Sequence, residues 1–291
     1  MKVVLFCGGL GMRIRDFSEH IPKAMVPIGY RPILWHVMKY YAHYGHSEFI
    51  LCLGFGADAI KNYFLTYSEC LSNDFVLSGG GRELQLLHRD IQDWRITFVD
   101  TGTNANIGQR LKAVERHLGD DDVFLANYAD GLTDLPLDAQ LSDFVGSGKT
   151  ASFASVRPNI SCHFVTAGSD GLVTSIADVH RANLRINGGY FAFRRNIFDH
   201  IKHGEELLHE PFQRLVESRQ VVAYHYDGFW TCMDTFKDKQ VLDEMYARGH
   251  APWEVWKQAP SAAVRTGTPG SMPQVTAPGS SETDSRHPDA A

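Results

Sequence analysis

Near its start the chain carries five consecutive apolar residues, Val3-Val4-Leu5-Phe6-Cys7, and breaks at once on Gly8-Gly9. A strand with one wet face alternates apolar and polar residues. An unbroken apolar run instead marks a strand buried on both faces, as in the interior of a parallel sheet. Residues 49–53, 96–99 and 123–128 read as further strands, and stretches of helical spacing separate them at 32–44, 57–67 and 107–118. In the first of these helices Ile33, Leu34, Val37, Met38, Tyr41 and Ala42 share one face, Pro32 suits the first turn and Gly45 the end. Strands alternating with helices predict an α/β fold with a doubly wound, mostly parallel, Rossmann-like sheet. Beyond residue 150 the pattern changes to strands at 151–156, 172–176, 189–193 and 221–225, with helices at 196–201, 212–218 and 237–248. This part is expected to continue the same sheet as a smaller, β-rich extension, making 1–258 one domain. Residues 259–291 contain no Leu, Ile, Phe, Trp or Tyr and are rich in Pro, Ser, Thr, Gly and Ala. Such a segment cannot offset its ordering entropy by apolar burial, so a disordered tail is expected there.

Composition removes several classes of function. The net charge is -6, from 28 basic and 34 acidic residues, and no basic tract is present. That argues against a nucleic-acid surface, which needs clustered Lys and Arg. The five cysteines, Cys7, Cys52, Cys70, Cys162 and Cys232, form no C-x-x-C pair, as expected of reduced thiols in a cytoplasmic protein. The apolar run at the N-terminus is too short for a signal peptide. No stretch of about 18 apolar residues predicts a membrane span.

The strongest chemistry lies in the turn Gly8-Gly9-Leu10-Gly11-Met12-Arg13. Glycines let the backbone approach a phosphate and let successive N–H groups point into one concavity. Arg13 adds a charge-assisted donor, and Lys23 follows in Pro22-Lys23-Ala24-Met25-Val26-Pro27. The dinucleotide fingerprint G-x-G-x-x-G is not met, because Ile14 stands where its last glycine belongs, and no Walker G-K-[ST] follows the glycines.

Those two segments resemble the signature of sugar-1-phosphate nucleotidyltransferases, most closely the glucose-1-phosphate cytidylyltransferase branch. Pro32 to His36, Tyr128 to Gly131, Ile186 to Phe191, Gly228 to Trp230 with Met233-Asp234-Thr235, and Ala251-Pro252-Trp253 are similar as well, in order, over residues 1–257. The resemblance implies a reaction in which a sugar-1-phosphate attacks the α-phosphorus of a nucleoside triphosphate, CTP favoured, and releases pyrophosphate. Residues 1–150 would serve mainly the nucleotide and 151–258 mainly the sugar. Arg13 and Lys23 would be catalytic. Gly8, Gly9, Gly11, Met12, Arg13, Lys23 and Arg110 would bind nucleotide, Asn187 and Gly188 the sugar, and Asp130 and Asp234 a Mg²⁺ cofactor. The resemblance also implies a homo-oligomer.

Three positions depart from the family pattern. Met12 replaces a threonine. The Glu-Lys-Pro motif on the sugar side is absent, its Glu and Lys falling on Ala177 and Asp178. An Arg-Phe-Gly becomes His163-Phe164-Val165. Two of the three fall on the acceptor half, so nucleotide activation is expected to persist with an altered acceptor, Arg181 or Arg185 supplying the missing cation. The competing class is a catalytically degenerate nucleotide-binding regulator or scaffold.

Overall fold

The structure, a computed structural model, describes residues 1–9, 21–159, 163–179 and 184–257. Met1–Lys257 form one compact unit. The expected tail, 259–291, lies outside the described residues.

A seven-stranded sheet runs in the order Val221–Tyr226, Ala151–Val156, Ile186–Arg194, Val123–Asn127, Lys2–Phe6, Glu48–Leu53, Arg95–Asp100. Each neighbouring pair is parallel except the two that involve Ile186–Arg194, so six strands point one way and that one opposes them. The unbroken apolar runs have the cause inferred for them. Side chains alternate across a strand, so Val3, Leu5, Phe49, Leu51 and Leu125 enter the core on one face of the sheet. Val4, Phe6, Ile50, Cys52, Phe124 and Ala126 enter the core on the other. Ile33–His43 covers the first face with Ile33, Leu34, Val37 and Met38. Ile107–Val114 and Glu210–Glu217 cover the second through Leu111, Val114, Phe212 and Leu215.

Three of the features that differ from the sequence reading bear on the fold's outline. The strand expected at 172–176 forms as Val173–Asp178, but it pairs with His163–Ala167 in a separate hairpin rather than joining the sheet. Its residues are largely exposed, so no sheet face selects it. The helix expected at 196–201 is a 3-10 turn, Arg195–His200. The helix Leu137–Ser147 is an element that the reading omits, although Leu137, Leu141 and Phe144 carry helical spacing and Gly148 ends it in the left-handed conformation.

The motifs at 32–36 and 251–253 meet in space. The buried His36 ring hydrogen-bonds the Ile28 carbonyl through Nε2 at 3.2 Å and accepts the Trp253 indole N–H at Nδ1, 3.3 Å away. Both bonds suit a neutral ring, and burial pushes His36 down from 6.5 to about 4. A depressed folded pKa adds stability that is complete above the unfolded pKa and is lost as pH falls toward the folded one. The protein should therefore lose about 3 kcal/mol between pH 6.5 and 4 on account of His36. Chemical denaturation across that window should show a shallower decline for His36→Leu than for the wild type.

Candidate active site

The sheet order sets the site's position. From Lys2–Phe6 the chain builds outward through Glu48–Leu53 and Arg95–Asp100, then returns to place Val123–Asn127 on the other side of the first strand. Connections leaving neighbouring strands in opposite directions open a crevice at their carboxyl ends, and α/β folds bind ligands in such a crevice. Gly8 and Gly9 leave the first strand there, and Tyr128-Ala129-Asp130 leave its neighbour. The antiparallel strand Ile186–Arg194 brings its beginning to the same edge, with Tyr190 opposite Asn127. Asn187 and Gly188 reach the site for that reason.

Arg110 holds this edge together from beneath. It comes from Ile107–Val114, a helix begun by an Asn106–Gln109 capping box, and is 3% exposed. Its guanidinium donates to the Gly8 carbonyl at 3.0 Å, the Leu53 carbonyl at 3.1 Å, the Thr101 hydroxyl at 2.7 Å and the Thr103 carbonyl at 3.3 Å. These acceptors follow or end three adjacent parallel strands. All are neutral, and burial lowers the pKa of Arg110. Gly8 is required for clearance, since a Cβ there would stand 2.1 Å from Arg110 Nη1, and one on Gly54 would stand 2.9 Å from the same atom. A Cβ on Gly9 would meet nothing within 4 Å. The two glycines that open the turn thus have different causes: Gly8 admits Arg110, and Gly9 faces open space. Gly11, Met12 and Arg13 lie outside the described residues.

Lys23 stands between the two aspartates singled out in the sequence. Its Nζ is 2.6 Å from Asp130 Oδ2 and 2.5 Å from Asp234 Oδ1. Lys23 opens a short 3-10 turn, Lys23–Met25. Asp130 is aimed by its predecessor: Ala129 adopts φ 63°, a left-handed conformation rare without glycine, and its N–H is held by Asn127 Oδ1 at 2.7 Å. The antiparallel ribbon of Gly131–Thr133 with Trp230–Cys232 carries Asp234 to Asp130, and the Met233 N–H closes on the Asp130 carbonyl at 2.9 Å. Asp234 does not cap the following helix; Thr235 does, in a box with Asp238. Burial raises the pKa of Asp130, opposed by the charge of Lys23 and reinforced by Asp234. For Lys23 burial acts downward, and the two carboxylates together more than offset it, so its pKa is raised and the ammonium persists. The Cys232 thiol points to Asp234 Oδ2 at 3.4 Å, and burial pushes it up to about 12, keeping it protonated.

Of the residues expected to meet the sugar, Asn187 donates from Nδ2 to the Tyr128 hydroxyl at 3.2 Å, and its Oδ1 accepts the Gly189 N–H at 2.9 Å. The Gly188 carbonyl accepts the Trp230 indole N–H at 2.8 Å. Tyr128 and Trp230 thus position the predicted sugar residues, a role invisible in sequence because it depends on strand order. The departures at 163–165 and 177–178 lie across from one another in the exposed hairpin, with His163 opposite Asp178 and Phe164 opposite Ala177. Arg185 does not stand ready as a substitute cation: it donates to the Ser155 carbonyl at 2.7 Å and the Tyr226 carbonyl at 3.2 Å, and pairs with Asp227 at 2.6 Å. Arg181 lies outside the described residues.

A cleft of about 580 Å³ opens at this edge, lined by Gly9, Asn106, Arg110, Tyr128 and Asp130 among others. A smaller recess reaches Lys23 and Asp130. Over 261 residues the chain is 34% identical to the glucose-1-phosphate cytidylyltransferase of Salmonella typhimurium, with 88% of this chain and 100% of that protein covered. The chain belongs to the sugar-1-phosphate nucleotidyltransferases. The Salmonella typhi protein of the same name matches equally, and no protein-family model matches the chain. Among solved structures the fold is shared with a UDP-glucose pyrophosphorylase complexed with UDP-glucose, at TM-score 0.63 and 15% identity over 85% of this chain and 98% of that one. A UTP-bound UGPase from Acinetobacter baumannii gives TM-score 0.63 and 19% identity over 87% and 95%. As a sugar-1-phosphate nucleotidyltransferase, this enzyme joins a sugar-1-phosphate to a nucleoside triphosphate.

Substitution separates the two glycines experimentally. Gly8→Ala should destabilise by about 2 kcal/mol, as overpacking against a hydrogen-bonded guanidinium does. Gly9→Ala should stay within about 0.5 kcal/mol of the wild type. Thermal melts of both variants compare them directly.

Proposed function

We propose that the enzyme transfers a cytidylyl group from CTP to glucose-1-phosphate or a closely related sugar or cyclitol phosphate, with Mg²⁺ as cofactor. The observation that carries this reading is Lys23 held between Asp130 and Asp234 at the carboxyl edge of the sheet, in a chain that spans the whole length of the cytidylyltransferase relative.

The chemistry needs little more than positioning and charge. The nucleophile is a phosphate oxygen already ionised at neutral pH, so no general base is required. The bond from that oxygen to the α-phosphorus forms as the bond from the α-phosphorus to the bridging oxygen breaks, and pyrophosphate leaves with the electron pair. Both reactants are anionic, so the barrier falls through orientation and neutralisation of charge. Lys23, with its ammonium stabilised by the site, contributes a fixed positive charge beside the reacting phosphate. Gly9 gives backbone access to the triphosphate, and Arg13 would hold its outer phosphates. Asn187 and Gly188 present the sugar side. Asp130 and Asp234 are hard oxygen donors that already hold one cation between them, and that donor set suits Mg²⁺. The ion would supply further neutralisation of the phosphates when bound there.

The acceptor is the part of the site that this chain has altered. The family's lysine is Asp178 here, and a carboxylate beside a sugar phosphate opposes its binding. Its partner strand carries the second change at Val165, so both changes fall on one hairpin.

Pyrophosphate release with Mg²⁺, measured for the common nucleoside triphosphates against a panel of sugar-1-phosphates, tests the reading. CTP with one acceptor should stand out, and Lys23→Ala should lower kcat by about 10²–10³-fold. Bound CTP with no release from any pair would reject the transferase reading. Asp178→Lys should lower KM for glucose-1-phosphate by about fivefold or more; an unchanged KM would show that the hairpin does not meet the acceptor.

A further inference from the structure

In this structure the space between Asp130 and Asp234 belongs to Lys23. Its Nζ lies 2.6 Å from one carboxylate and 2.5 Å from the other. A magnesium ion on the same oxygens sits at about 2.0–2.1 Å, within the volume that the ammonium fills. Two cations so close also repel strongly in a partly buried site. The ammonium and the ion therefore exclude one another at these oxygens. A second observation concerns the number of donors. Among the described residues no group of three or more His, Cys, Asp or Glu is placed to hold a metal ion. The carboxylate pair falls well short of the six oxygens that magnesium requires, and phosphates or water must complete the set.

We infer that Lys23 closes the carboxylate pair to a divalent cation until nucleotide is present, so that the metal enters with the nucleotide and not before it. A bound triphosphate relieves both constraints. Its α-phosphate offers the ammonium a new anionic neighbour, and its oxygens complete the coordination that two aspartates leave unfinished. Lys23 then serves twice, first as the cation that keeps two like charges together, then as the charge beside the reacting phosphate. The absence of bound metal in the free enzyme would also keep the site from being loaded by a competing ion of wrong geometry. The inference rests on the reading that Asp130 and Asp234 hold the metal, and the experiment separates the two.

Manganese(II) is the probe, its free concentration read by electron paramagnetic resonance in titrations of the full chain, with and without the α,β-methylene analogue of CTP. Without nucleotide, Lys23→Ala should bind Mn²⁺ at least tenfold more tightly than the wild type, the order expected from removing one adjacent positive charge. Lys23→Arg, which keeps the charge, should bind as weakly as the wild type, and Lys23→Ala with Asp130→Asn should lose the gain. Thermal melts establish that each variant is folded, and Lys23→Met repeats the charge removal with a side chain of similar length. The lock is overturned if neither Lys23→Ala nor Lys23→Met binds more tightly than the wild type, while Asp130→Asn and Asp234→Asn weaken Mn²⁺ binding to the nucleotide-loaded enzyme. If those two substitutions leave the nucleotide-loaded affinity unchanged, the assignment of the metal to the aspartates fails, and the lock with it.

Discussion

A single buried guanidinium sets the floor of the active site. Three parallel strands end side by side at the carboxyl edge here. Arg110 gathers the acceptors that follow them, at Gly8, Leu53, Thr101 and Thr103. The Leu53 carbonyl also accepts the Thr101 N–H and hydroxyl, and the Gly8 carbonyl accepts the Phe55 N–H, so Arg110 cross-links strand ends that already bond to one another. The arrangement also places a fixed positive charge under a turn expected to receive phosphate. The price in sequence is specific: no side chain fits at Gly8 or Gly54 while Arg110 occupies that space.

The cluster above this floor works by opposition. Burial raises the pKa of Asp130, and repulsion from the facing carboxylate of Asp234 adds to it. Lys23 offsets the repulsion from between them, at 2.6 Å from Asp130 and 2.5 Å from Asp234. The geometry depends on elements far apart in sequence. The left-handed Ala129 turns Asp130 inward, and the ribbon through Trp230–Cys232 delivers Asp234. Strain at Ala129 is tolerated because Asn127 holds its N–H and the surrounding sheet fixes both flanks.

How much of this could be read in the chain differs from residue to residue. The buried strands were legible because both faces of the sheet are covered, so Val3 to Phe6 show no polar alternation. Lys23, Asp130 and Asp234 were legible as a set through the family resemblance, and the structure brings them within 2.6 Å of a common atom. The role of Gly8 was not legible. A glycine in a phosphate-type turn reads as access for a ligand, and only the packed position of Arg110 shows that it is clearance for a side chain. The placement of Val173–Asp178 was likewise hidden, because an exposed two-stranded hairpin and an edge strand of a sheet share the same short, β-branched pattern. The link between His36 and Trp253 joins residues 217 positions apart, and no local pattern announces it.

The two departures that fall on the hairpin follow the same physics. Arg110 and Lys23 are constrained by the fold itself: Arg110 ties strand ends, and Lys23 holds two aspartates together, so a change at either disturbs the enzyme before substrate arrives. The fold places no such demand on the hairpin of His163–Ala167 with Val173–Asp178, since it stands outside the seven-stranded sheet and its residues are mostly exposed. A substitution such as Asp178 alters what the hairpin presents while leaving the sheet and the carboxyl edge as they are. Residues of the hairpin can therefore change while the carboxyl edge stays in place, because the sheet depends on Arg110 and not on the hairpin.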